Sequence, residues 1–147
     1  MFGYIYCMVT EFYNLQFNNA PSTVLHIDIN SAFATIEQQY NPKLRYKPVA
    51  VITREGPSGC IVAASIEAKR LGVKGGMRMY EVKHICPQLI TLTPTPSLYR
   101  KVHKDLKNLL LDYTAKVIPK SIDEFVLHME NYPYLKKGMW NMADKIK

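Results

Sequence analysis

The sequence predicts an α+β fold, an antiparallel sheet with helices on one face and a mixed segment inserted between its parts. Three observations predict it. The run VLHI, Val24 to Ile27, is strand-like and leads through Asp28 into a helical stretch. From Ser97, Leu98, Val102, Leu106, Leu109 and Tyr113 recur at helical spacing. Two further strand-like runs, Val117–Ile122 and Phe125–Met129, flank the acidic pair Asp123 and Glu124. Strand, helix, mixed insertion, helix and two strands, in that order, favour segregated antiparallel pairing.

In chain order, the strand Val24–Ile29 turns into a helix near Asn30 or Ser31, both good N-caps, and the helix ends before Asn41-Pro42. PVAVIT (48–53) and CIVAAS (60–65) read as a hairpin around REGPSG. Ser65 caps a short helix, IEAKRL, which Gly72 ends. GVKGGM is a flexible basic loop, MYEVKHIC a short helix stopped by Pro87, and LITL a short strand. TPTPS resists helix and serves as a linker. The long helix from Ser97 carries Arg100, Lys101, Lys104 and Lys107 on its polar side, a pattern that solvation alone explains. A further helix begins beyond Tyr134.

At 147 residues, 48% hydrophobic and 21% charged, the chain has the length and composition of one soluble globular domain. It has no apolar run long enough to span a bilayer, and no Lys or Arg in its first 20 residues to open a secretory signal. Cys7, Cys60 and Cys86 are odd in number and lack zinc-ligand spacing, which fits reduced thiols and a cytoplasmic location. His26, His84, His103 and His128 show no metal-ligand grouping either. A net charge of +7 favours a polyanionic partner without identifying one.

The chemistry centres on KSIDEFVLHME. Side chains alternate along a strand, so Asp123 and Glu124 converge on one ion only at a turn, bulge or strand end. A fold that lays the strand of Asp28 beside them would create a three-carboxylate, oxygen-rich site suited to Mg²⁺. From the residues alone, a solvated turn is the usual setting of such an acidic pair, and a strand-end acid the usual reading of Asp28.

DINSAFATIE, EAKRLGVKGG and SIDEFVLHM, in this order and spacing, resemble the Y-family (translesion) DNA polymerases over about residues 24–130. Asn30 two residues after Asp28 is similar to the UmuC-like branch. The resemblance implies a polymerase palm at 24–40 and 97–147, small fingers at 41–96 and an N-terminal extension at 1–23. It implies two Mg²⁺ ions bridged by Asp28 and Asp123, with Glu124 and the Ile29 carbonyl completing the ligands. It makes Phe33 the steric gate against a ribose 2′-hydroxyl, though helix spacing alone would place Phe33 in the core. Lys69 and Arg70 would grip the incoming triphosphate, with Lys74, Lys101 and Lys104 on DNA. Glu37 matches a family acid with no assigned chemistry. Two departures stand out: Ala32 replaces the aromatic beside the gate, and Ile66 replaces a Tyr that touches the nucleotide.

The implied activity is error-prone DNA-directed synthesis past damage, in an SOS-type DNA repair role, on primer-template DNA and deoxynucleoside triphosphates. Relatives continue into a thumb and a little finger, which hold most of the duplex and would carry any contact to a sliding clamp or accessory subunit. The sequence therefore reads as a palm-and-fingers fragment. An inactive remnant that binds DNA or a partner is the alternative, and a two-metal nuclease a third.

Overall fold

The computed structural model of the protein describes residues 22–130 and 139–146. The N-terminal aromatics and Cys7 lie outside them. The chain divides into two compact units, one drawing on the described residues through Ile29 and from His103 onward, the other comprising Asn30–Val102.

The first unit holds β1 (Val24–Asp28), β5 (Lys116–Pro119) and β6 (Glu124–His128) in the order β1-β6-β5. Both pairings are antiparallel, running from Val24 opposite His128 to Asp28 opposite Glu124, and from Lys116 opposite His128 to Pro119 opposite Phe125. Alternation sorts the side chains. Leu25, Ile27, Phe125, Leu127 and Met129 are buried, whereas Val24, His26 and Asp28 are exposed. The buried face packs on Leu110 of α4 (Pro96–Leu111) and on Met142 and Ala143 of α5 (Met139–Ile146). The sheet therefore has helices on one face, as the sequence predicts. Each fully buried aliphatic or aromatic side chain contributes about 1.5–3 kcal/mol.

On α4 the apolar stripe differs from the expected one at one position. Leu109 is 51% exposed, while Leu110 is fully buried and Tyr99 nearly so. Leu106 and Tyr113 pack against the core as expected, and Leu110 takes the buried place expected of Leu109. Past the helix, buried Thr114 donates its hydroxyl to the His128 carbonyl at 2.7 Å and accepts from Lys116 N at 3.2 Å. It fastens the start of β5 to the end of β6.

The second unit contains α1 (Ala32–Tyr40), a 3₁₀ turn at Pro42–Leu44, β2 (Val49–Ile52), β3 (Ile61–Ala64), α2 (Ile66–Arg70), α3 (Met79–Ile85) and β4 (Ile90–Leu92). The hairpin β2–β3 forms as expected, and Ser65 Oγ accepts Ala68 N at 3.3 Å to cap α2. Gly72, at φ +95°, ends that helix. In one respect this sheet is not antiparallel. Its order is β3-β2-β4, with β4 parallel to β2, because α2 and α3 supply the crossover that a parallel return requires. All four residues of the central strand β2 are buried. Ser31 departs from the expected cap: its backbone is left-handed (φ 54°), and its buried Oγ has no hydrogen-bond partner. The left-handed turn takes the hydroxyl away from the first-turn N–H groups, and the Thr35 hydroxyl instead donates to Asn30 O at 2.8 Å.

Thr114→Val should destabilise the first unit by about 1 kcal/mol, because the part-buried His128 carbonyl loses its donor. Urea denaturation of the two proteins measures the difference.

Candidate metal centre at the acidic hairpin

The turn between β5 and β6 is built around Ser121. Lys120 N donates to Glu124 O at 2.9 Å and closes the hairpin. The Ser121 hydroxyl donates to Asp123 Oδ1 at 2.7 Å and accepts from Asp123 N at 3.3 Å and Glu124 N at 3.2 Å. Asp123 thus stands in the turn, just before β6 begins, where strand alternation no longer separates it from Glu124.

Asp28 is paired in register with Glu124, and Ile29 N donates to Asp123 O at 3.2 Å. Residues directly opposite on antiparallel strands share a face, with Cβ atoms about 4.5–5.5 Å apart. Asp28 and Glu124 therefore share the sheet face opposite the core, Asp28 exposed and Glu124 half-buried. Asp28, far upstream in sequence, is thus brought to the same edge as the adjacent pair Asp123 and Glu124. Among the described residues no three His, Cys, Asp or Glu side chains form a group that could hold an ion as they stand, and Ser121 bonds one oxygen of the Asp123 carboxylate. The donor set itself, carboxylate oxygens and backbone carbonyls, suits a hard divalent cation.

Two residues that position this turn were not singled out in the sequence. Ser121 had a local signal, since a serine two residues before an acid is a common side-chain-capped turn. His103 had none. Its Nδ1 lies 2.9 Å from Ile122 O, and its ring stacks on Phe125 with centroids 4.9 Å apart.

The remaining candidates, Lys104 excepted, belong to the second unit. Phe33 is half-buried and stacks on Tyr99, with centroids 4.5 Å apart and planes 25° from parallel. The Tyr99 hydroxyl donates to Glu37 Oε1 at 2.8 Å, which gives Glu37 a structural role. Burial above all, with the Glu37 carboxylate adding to it, pushes the Tyr99 phenol up to about 12. Lys69 and Arg70 are exposed in the last turn of α2, where they also complement the helix dipole. Ile66 at the start of the same helix is 40% exposed. Lys74 is exposed in the loop after α2, and Lys101 and Lys104 are exposed on α4. Gly76 (φ +83°) has open space where a side chain would stand.

Comparison with known proteins matches the profile of the impB/mucB/samB family to residues 27–147, most of the chain. The chain belongs to the impB/mucB/samB family. Among its relatives, DNA polymerase IV 1 of Bacillus subtilis (strain 168) is 39% identical over 117 residues, covering 79% of this chain and 28% of the relative. Human DNA polymerase kappa is 34% identical over 117 residues, covering 80% of this chain and 13% of the relative. A solved insertion ternary complex of the Dbh DNA polymerase superposes with a TM-score of 0.75 at 32% identity, covering 84% of this chain and 37% of that one. The family member described here thus spans less than a third of these curated relatives. The α+β fold and the Y-family resemblance are both borne out. No helix among the described residues is long and apolar enough to cross a membrane.

Ser121→Ala should accelerate hydrogen exchange at the Asp123 and Glu124 amides, which lose their shared acceptor; nuclear magnetic resonance reads both directly. A second expectation concerns alkali. Because the folded-state Tyr99 pKa lies above its ordinary value of 10, its contribution is intact below pH 10 and is lost as pH rises towards 12. Tyr99→Phe should flatten that decline, measured as urea stability against pH.

Proposed function

We propose that this chain is the palm-and-fingers part of an error-prone, template-directed DNA polymerase for translesion synthesis. The observation that carries the reading is the register that sets Asp28 opposite Glu124 and bonds Ile29 to Asp123, in a chain of this family. The named activities of the relatives support it. Residues 24–40 and 97–147 are assigned to the palm and 41–96 to the fingers. The substrates are primer-template DNA and deoxynucleoside triphosphates. A cytoplasmic, SOS-type setting accompanies this reading, with any sliding clamp contacted through regions that relatives carry beyond the palm.

Asp28, Asp123 and Glu124, with the Ile29 carbonyl, would hold two Mg²⁺ ions, Asp123 exchanging its Ser121 bond for the metal. Bound there, the ions supply charge neutralisation at the phosphates and a more acidic attacking hydroxyl. Phe33, braced by Tyr99, excludes a 2′-hydroxyl by bulk. Lys69 and Arg70 bind the triphosphate by charge, Lys69 as a point charge without the bidentate fork of arginine. Lys74, Lys101 and Lys104 contribute salt-sensitive contacts to the DNA backbone.

Primer extension with Mg²⁺ tests the reading. Asp123→Ala should reduce extension by about 10²-fold or more, the scale on which lost electrostatic stabilisation is felt. DNA binding with no extension by the parent chain would favour a non-catalytic role. In the same assay, Phe33→Ala should admit ribonucleotides while deoxynucleotide use persists. An unchanged sugar preference would return Phe33 to a packing role.

A further inference from the structure

Asp123 sits between two peptide planes, and each plane is held at both ends. In the plane before it, the N–H of Asp123 donates to Ser121 Oγ, and the carbonyl of Ile122 lies 2.9 Å from His103 Nδ1. In the plane after it, the N–H of Glu124 donates to the same Ser121 Oγ, and the carbonyl of Asp123 accepts from Ile29 N. Fixing both planes fixes φ and ψ at Asp123, and with them the direction of its Cα–Cβ bond. Three of these four contacts come from the hairpin itself or from the residue just after β1. The contact from His103 is the one that ties the turn to helix α4.

We propose that His103 is a positioning residue that presets Asp123 for divalent-cation binding, and that it works as a hydrogen-bond donor with a fixed tautomer. This inference rests on the metal-site reading above. A carbonyl oxygen can only accept, so Nδ1 carries the proton, and Nε2 carries none in the neutral ring. The ring cannot swing freely to lose the contact, because it stacks on Phe125, which is fully buried. Burial of Phe125 in the sheet core thus transmits to the acidic turn through one imidazole. Outer-shell partners of this kind commonly change metal affinity by about 10–100-fold when removed. An indirect hold through a neighbouring carbonyl belongs at the lower end.

Electron paramagnetic resonance of free Mn²⁺, titrated with the whole chain, reads the effect without requiring catalysis. His103→Phe keeps an aromatic ring against Phe125 but removes the donor, and binding should weaken about tenfold. His103→Asn places an amide N–H near the position of Nδ1 and should restore affinity close to that of the parent. Equal weakening by both variants, or by neither, overturns the proposal. Asp123→Asn is the control: if it binds Mn²⁺ as the parent does, the metal-site reading falls and the proposal with it. If only Asp123→Asn weakens binding, that reading stands and the role of His103 alone is overturned. Ring ¹⁵N spectra of the parent chain give a second measurement that needs no stable variant at this position. The Nδ1–H tautomer is expected for the neutral His103 ring, and a predominant Nε2–H form would overturn the proposal.

Discussion

The register of β1 against β6 is the constraint on which the rest depends. Antiparallel strands repeat every two residues, so a slip of one would turn the hydrophobic set of β1 outward and carry Asp28 to the helix-covered face. Leu25 and Ile27 prevent that slip, since both are buried opposite Leu127 and Phe125. The same core contacts that stabilise the sheet therefore decide where Asp28 stands. The bond from Ile29 N to Asp123 O extends the register one step beyond β1 and draws the turn into line.

This arrangement divides the sheet into a core-packed face and an open face that carries Asp28 and Glu124. Alternate residues Leu25, Ile27, Phe125, Leu127 and Met129 supply apolar burial, while the intervening positions face away from the core. The second unit shows a related economy at Phe33. Its ring would fit a packing role by helix periodicity, yet it is half-buried and stacked on a tyrosine that is itself held by Glu37. Such a ring is held in position without being fully buried.

Much of this was legible in the sequence because the signals are local. Strand alternation, the Ser65 cap, the Gly72 stop and the apolar stripe of α4 each involve residues within a few positions of one another. Even there one position of the α4 stripe differs, since Leu109 and Leu110 satisfy the same pattern and only packing against the sheet distinguishes them. Ser31 failed as a cap because its left-handed backbone reflects the strand-to-helix turn as a whole, which residue preference does not encode. The parallel pairing of β4 depends on how two short helices carry the chain across. His103 was least legible of all. Its partner lies 19 residues away in sequence, and only the folded sheet reveals that a helix side chain reaches the acidic turn.

The proposed function requires Asp28, Asp123 and Glu124 to form one divalent-cation site. Anomalous diffraction from crystals of the chain soaked in Mn²⁺ tests it most directly. Manganese density flanked by the three carboxylates, with the Asp123–Ser121 bond broken, is the expected result. Ordered manganese bound elsewhere, with Asp123 still bonded to Ser121 and Asp28 without metal at saturating concentration, would contradict it.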